Sequence, residues 1–258
     1  MNRLLIFGLG YSARHIAAAL TARGWQVRAT GSEGDLAFDD AAAVGEAVHW
    51  ASHVLSSVPP SDGADPVLAH YGDGLGGRWL GYLSSTGIYG DTGGAWVDES
   101  APVRGRRADR NEADAAWLAL GARVFRLPGI FGPGRSPLDR LREGKAHRID
   151  LPEQVFSRVH VADIAGGVMA AIAANVPPGA YNLADDEPAS QNAVVEHAAR
   201  LLRVSPPPLQ TLDEAGLSPM ARSFYAENRR VANGKLKRAA GWSPRYPSYR
   251  EGLASLLD

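Results

Sequence analysis

The residues best spaced for chemistry lie near the N-terminus. Gly8-Leu9-Gly10-Tyr11-Ser12-Ala13 is a G-x-G-x-x-A run. It follows an apolar segment, Arg3 to Phe7, and opens a helical pattern. That context is what a dinucleotide site needs. Gly8 permits a tight turn, and Gly10 lets a pyrophosphate reach the backbone. Ala13 is small enough for the helix to pack on the strand. The amides at Tyr11 and Ser12 would present free N–H groups and partial positive charge to phosphate. The residues after the second strand bear on the adenosine ribose. Val27-Arg28-Ala29-Thr30-Gly31-Ser32 holds no acid, and the first is Glu33. An acid there would bind a ribose 2′-hydroxyl, whereas Thr30, Ser32 and Arg28 suit a 2′-phosphate. The sequence therefore leans to NADP over NAD.

Two other spacings carry less. Gly72-Asp73-Gly74-Leu75-Gly76-Gly77 has no apolar strand before it and no Gly-Lys-Ser/Thr after it, so it reads as a loop and not a phosphate cradle. His49 and His53 are four apart, as two metal ligands on one helix face would be. No third ligand is evident nearby and a strand begins at Val54, so no metal is expected.

The elements that must position the glycine turn follow from apolar periodicity. Ile16 and Leu20 lie four apart in an alanine-rich helix, and Gly24 stands where a helix C-terminal glycine belongs. Trp25 to Thr30 reads as the second strand. Strand, helix and strand within about thirty residues form a βαβ unit. The alternation continues through helix 39–51, strand 53–60, strand 79–90, helix 111–122, strand 123–134, helix 159–175 and a late strand at 179–185. From about Pro188 the chain is mostly helical. The expectation is an α/β fold, a doubly wound Rossmann-type parallel sheet with a smaller C-terminal substrate lobe. Residues 1–133 with 158–184 would form the dinucleotide-binding domain, and 134–157 with 185–258 the lobe. In open parallel sheets ligands bind at the carboxyl edge of the strands, which that lobe would cover.

Composition narrows the class. The chain has 258 residues, 45% of them hydrophobic, enough for one sizeable core. Its 27 Lys and Arg against 28 Asp and Glu predict neither a nucleic-acid nor a membrane partner. It contains no cysteine, which removes disulfides, thiolate catalysis and Cys-ligated zinc. The N-terminal apolar run is too short for a signal peptide and no segment reaches membrane-spanning length, so a cytoplasmic location is expected.

Several later segments carry a resemblance. They are Ser84-Ser85-Thr86-Gly87-Ile88-Tyr89-Gly90, Arg126-Leu127-Pro128-Gly129-Ile130-Phe131-Gly132-Pro133-Gly134, Arg158-Val159-His160-Val161-Ala162-Asp163-Ile164-Ala165, and Tyr181-Asn182-Leu183-Ala184-Asp185. With the glycine turn, and in this order, they make the chain similar to the extended short-chain dehydrogenase/reductase superfamily, in its NAD-dependent epimerase/dehydratase-like part. The glycine turn is a residue shorter between its first two glycines than that group's usual pattern. The resemblance implies that Ser85 is the catalytic hydroxyl, with Thr86 beside it on the substrate. It implies that Pro128, Gly129 and Ile130 meet the nicotinamide amide, that Ser57, Val58 and Pro59 flank its ribose, and that Ser84 joins this cofactor wall. Arg135 falls in a segment that matches the substrate lobe. Dimers are common in the superfamily, which makes a homodimer compatible with this chain.

One departure is large. The superfamily places Tyr-x-x-x-Lys on the helix after the Ile-Tyr-Gly turn, the Tyr moving a proton and the Lys lowering its pKa. This chain has no Tyr between Tyr89 and Tyr181 and no Lys before Lys145. By spacing, Arg106 takes the Tyr position and Arg110 the Lys position. Arg110 could contact a ribose and supply positive charge, Arg106 or Arg107 could bind an anionic substrate, and none of them can donate a proton. Tyr89, in the turn beside Ser85, is the first alternative proton donor, with Asp98 and Glu99 next. Two functions follow. One is an NAD(P)-dependent oxidoreductase or epimerase with an altered proton relay, acting on a small molecule with a sugar nucleotide as one candidate. The other is a dinucleotide-binding sensor or regulator without catalysis.

Overall fold

The computed structural model describes residues 2–257. Six parallel strands form the central sheet: β1 (Arg3–Phe7), β2 (Gln26–Ala29), β3 (His53–Ser56), β4 (Trp79–Ser85), β6 (Arg123–Leu127) and β10 (Gly179–Asn182). Their order is β10-β6-β4-β3-β1-β2, so the chain runs outward from β1 in both directions. The register sets Leu4 beside Val27 and His53, and Ser85 beside Leu127. Four short strands lie outside it: β5 (Trp96–Val97), β7 (Gly129–Phe131), β8 (Arg148–Ile149) and β9 (Arg158–His160). Two more follow, β11 (Leu209–Gln210) and β12 (Arg230–Val231). They pair in parallel as β7 with β9, β8 with β11, and β5 with β12.

Helices cover both faces, as a parallel sheet requires. On one side, α1 (Tyr11–Thr21) packs against α6 (Val161–Ala173). Ala13, Ile16 and Leu20 form the buried stripe of α1 and join a core with Leu4, Ile6, Phe125 and Val168. On the other side lie α2 (Ala41–Trp50), α3 (Pro66–Tyr71) and α4 (Ala108–Ala119), over Leu5, Phe7, Val54 and Val124. Trp117 of α4 stacks on Tyr82 with ring centroids 5.4 Å apart, and its Nε1 donates to Asp65 Oδ2 at 2.8 Å. The remaining helices are α5 (Pro137–Arg142), α7 (Gln191–Leu202), α8 (Pro219–Phe224), α9 (Gly234–Ala240) and α10 (Tyr249–Ala254). Leu138, Val194, Ala198, Tyr249 and Leu253 form a separate apolar cluster with Phe131. The 72–77 glycine run forms a short helical turn and loop.

Beneath the carboxyl edge sits a buried ionic network. Arg126 on β6 donates from Nη2 to Asp114 Oδ1 at 2.7 Å and from Nε to Asp114 Oδ2 at 3.2 Å. Arg126 is 3% exposed and Asp114 1%. Ser84 Oγ donates to the same carboxylate at 2.7 Å. Removing one member of a buried pair leaves the other charged and unpaired. Asp114→Ala should therefore cost about 3–5 kcal/mol in denaturant unfolding. A loss under about 1 kcal/mol would mean that water or another group takes over Arg126.

Candidate active site

The glycine turn joins β1 to α1. Gly8 adopts φ +81°, and a Cβ there would meet Val58 Cγ2 at 2.9 Å. Its N–H donates to Thr30 Oγ1 at 3.0 Å, and Leu9 N–H to Thr30 O at 2.8 Å. Ser57 Oγ donates to Gly8 O. A Cβ at Gly10 would meet nothing within 4 Å, so that face of the turn is open. The first turn of α1 carries no side-chain cap and no acid, which leaves its amides free for an anion. These features fit a dinucleotide pyrophosphate.

A cavity of about 970 Å³ starts at this turn. It runs from Gly10, Tyr11 and Ser12 past Ser57 and Pro59 to Ser84, Ser85 and Thr86. Pro128, Gly129 and Ile130 wall one side, and Arg110 and Arg135 also reach it. Most of the predicted positions thus line one space. Its far half is basic, with Arg140, Arg158 and His147. Arg158 is buried and donates to Phe156 O and Ala189 O, both at 2.9 Å, and to Gln191 Oε1 at 3.0 Å. Burial lowers its pKa to about 10, and raises that of buried Asp185, which feels the Arg158 charge, to about 8.

Ser85 ends β4 and caps the helical turn Thr86–Tyr89, its Oγ accepting from Gly87 N–H at 3.1 Å. The Oγ proton is therefore left for a second partner. Gly90 adopts φ +69°, and a Cβ there would strike Arg104 O at 2.5 Å, which explains the glycine after Tyr89.

Tyr89 does not line the cavity. It is 1% exposed, its hydroxyl donates to Asn182 Oδ1 at 2.8 Å and accepts from Arg126 Nη1 at 3.1 Å, and burial raises its pKa. The turn points its ring under the sheet edge, so it supports the site and cannot pass a proton into it. Arg106 does not line the cavity either. Its Nε donates to Glu227 Oε1 at 2.6 Å and its Nη2 to Ser223 O at 2.8 Å. Thr30 is 1% exposed and holds Gly8 in place, so its side chain does not face a 2′-phosphate. Arg28 is bound to Asp35 at 3.0 Å, and Glu33 pairs with Arg14, leaving Ser32 exposed on that rim.

Asp98 and Glu99 also lie away from the cavity. Asp98 caps its own turn through Ser100, and Glu99 Oε1 accepts from Asn182 N–H at 2.7 Å. Among the described residues no cluster of three or more His, Asp or Glu could hold a metal. His53 lies on β3 against Trp25, and His49 Nδ1 faces Gly45 O. No helix among them is long and apolar enough to cross a membrane. From the C-terminal part of the chain, Phe224, Tyr225 and Arg229 line the cavity, as the sequence allows for a substrate pocket, whereas Arg230 does not; Arg126 lies beneath it and carries no such sequence signal.

No protein-family model matches the chain. A solved structure of a functionally unknown conserved protein from Silicibacter pomeroyi DSS is 41% identical, with a TM-score of 0.87 over 99% of this chain and 98% of that one. Protein YeeZ of Escherichia coli (strain K12) is 27% identical over 84% of this chain and 89% of its own. A human epimerase family protein with NADPH superposes at a TM-score of 0.77 over 98% of both chains, at 17% identity. The chain shares the fold of this epimerase family protein and of a solved epimerase/dehydratase-like protein from Methylobacillus flagellatus, 23% identical at a TM-score of 0.77. A 3-diazoavenalumate denitrifying reductase of Streptomyces is 33% identical over 148 residues, which are 52% of this chain and 46% of that protein. The chain thus spans about half the length of that relative.

His160 ends β9 and caps α6, and it offers a pH test. His160 Nδ1 accepts from Ala162 N–H at 3.2 Å, which requires a neutral ring at that nitrogen. Burial lowers its pKa to about 4, helped by His15 and Arg245. The unfolded ring protonates near 6.5, so the unfolded state binds the extra proton first as pH falls. Stability from His160 should be full above about pH 6.5 and drain away towards pH 4. His160→Asn should flatten that slope in urea titrations across the window, and parallel curves for both proteins would refute the assignment.

Proposed function

We propose that the chain is an NAD(P)-binding oxidoreductase of the epimerase/dehydratase type, acting on a small anionic substrate. The carrying observation is the continuous cavity from the uncapped helix at Gly10, past Ser85, to the basic half at Arg140 and Arg158. Gly8, Gly10, Tyr11 and Ser12 would hold the pyrophosphate. Ser57, Val58 and Pro59 would flank the nicotinamide ribose, with Ser84, Pro128, Gly129 and Ile130 against the ring. A bound nicotinamide supplies the hydride donor or acceptor. Ser85 would orient the reacting oxygen with Thr86 beside it, while Arg110 and Arg135 meet substrate or phosphate charge. A sugar nucleotide is one candidate. The division into residues 1–133 with 158–184, and 134–157 with 185–258, belongs to the same proposal; the separate cluster around Leu138 and Tyr249 supports it.

The second reading is a dinucleotide sensor without turnover. It is favoured by the burial of Tyr89 and by a cavity wall without lysine. Thermal unfolding with NAD⁺, NADH, NADP⁺ and NADPH tests what both share. A nucleotide at a hundred times its dissociation constant adds roughly 2.7 kcal/mol. No shift with any of the four would defeat both readings. Steady oxidation of reduced cofactor with a carbonyl substrate, lowered about 10²–10³-fold in Ser85→Ala, selects the enzyme; bound cofactor that persists against a broad carbonyl panel selects the sensor.

The NADP preference now rests on Ser32 and on Arg14, which stands on the same rim but is held by Glu33. Glu33→Gln should release the Arg14 guanidinium towards a 2′-phosphate. We expect the NADPH-to-NADH affinity ratio to rise about tenfold by direct titration. An unchanged ratio would remove Arg14 from the ribose site.

A further inference from the structure

The segment 226–231 reaches the cavity from the far end of the sequence, and it is held there closely. β12 pairs with β5, setting Arg230 beside Trp96 and Val231 beside Val97. Asn228 O accepts from Thr92 N–H at 3.1 Å and from Gly94 N–H at 2.9 Å. Asn228 N–H donates to Asp91 Oδ1 at 2.8 Å, and Val231 N–H to Ser157 Oγ at 2.9 Å. A backbone fixed on both sides of residue 229 gives its side chain a defined origin.

Arg229 spends only one of its nitrogens on the protein. Nη1 donates to Gly90 O at 2.8 Å and to Glu227 Oε2 at 2.5 Å. Among the described residues, Nη2 and Nε donate to no protein group, and the side chain lines the cavity. A methyl group built on Gly87 would lie 3.3 Å from Ser85 Oγ and 4.0 Å from Arg229 Nη2. The serine hydroxyl and the free edge of the guanidinium therefore bracket one point on the wall. Glu227 does not cancel this charge, because its other oxygen accepts from Arg106. Burial pushes the Glu227 pKa up, but the hydrogen bonds from Arg106 and Arg229 outweigh that and hold it low. Two guanidinium groups on one carboxylate leave a net positive charge beside Ser85.

We propose that Arg229 is a catalytic residue which, with Ser85, receives the negative charge developing on the substrate oxygen, and that Arg106 and Glu227 are its positioning residues. This rests on reading the cavity as a site of hydride transfer. In the reducing direction a bound NAD(P)H would supply hydride to the carbonyl carbon, and the C=O π pair would move onto oxygen. Ser85 Oγ–H and Arg229 Nη2–H donate to that alkoxide. The proton that completes the alcohol comes from water in the open cavity, because a guanidinium keeps its protons. Preorganised donors at a developing oxyanion are the kind of stabilisation that needs no titrating group.

The absence of cysteine gives a test that needs no substrate. Ser85→Cys places the chain's single thiol where the hydroxyl stands, and its thiolate imitates the oxyanion. The pH dependence of alkylation by iodoacetamide then reads the local charge. Beside a free guanidinium the thiol should titrate below its ordinary ~8.5. Adding Arg229→Gln should raise that pKa by about one unit or more, while Arg229→Lys keeps most of the depression. Arg110→Gln, at another of the cavity cations, should move it less than Arg229→Gln. A Ser85→Cys thiol at or above ~8.5 overturns the proposal without any change at Arg229, and so does a depressed pKa that Arg229→Gln leaves in place. The nucleotide-induced thermal shifts of the Ser85→Cys protein report separately on the cofactor reading, so failure of that reading is told apart from failure of this one.

Discussion

The bidentate contact between Arg126 and Asp114 is the constraint on which the carboxyl edge depends. Taking a guanidinium out of water is costly unless its protons find fixed acceptors. Arg126 finds them on Asp114 and on the Tyr89 hydroxyl. The acceptors come from separate elements, so satisfying one side chain ties α4, β6 and the turn after β4 together. The chain of bonds goes on from Tyr89 to Asn182, and from Asn182 Nδ2 to Ala232 O at 2.9 Å. One buried charge thus fixes the floor under Ser85 and links it to the segment that carries Arg229.

The upper wall is built differently. Its ladders are two or three residues long, too short to be stable alone, and they persist because side chains stitch them to their neighbours. Arg148 donates to Pro207 O at 2.7 Å and Asn192 Oδ1 accepts from Ile149 N–H at 2.9 Å, closing β8 onto β11 and α7. Asp163 accepts from the backbone of Tyr246 at 3.2 Å and of Arg245, drawing the C-terminal loop onto α6. The half of the cavity that would receive substrate is therefore assembled from distant segments by polar contacts, while the cofactor half stands on the sheet.

This division explains what could be read from sequence. The glycine turn, the βαβ unit and the long helices follow from local periodicity and from residues such as Gly8 that only one backbone geometry accommodates. The direction of Tyr89 does not, because it is set by the rotation of one helical turn between Ser85 and Gly90. Arg110 and Arg106 were placed by spacing alone; the start of α4 at Ala108 sends the first towards the cavity and leaves the second outside the helix, on Glu227. Arg229 is legible only as one of several residues that could line a pocket; its contacts depend on two-residue strands with no measurable period.

The charge distribution bears on how a cavity with no tyrosine–lysine pair could stabilise a developing negative charge. The chain is almost neutral overall, with 27 basic and 28 acidic side chains. Yet the cavity gathers Arg110, Arg135, Arg140, Arg158 and Arg229 around a single acid, Glu227, which is itself bound by arginine. A concave wall of one sign concentrates its field in the space it encloses. A tyrosine relay needs a cation to lower the phenol pKa before the phenol can act. In the proposed arrangement a fixed cation at the oxygen would omit that intermediate group and stabilise the developing charge directly. Such an exchange would sacrifice a proton donor, which water can replace in an open cavity, and would keep the electrostatic contribution, which water cannot.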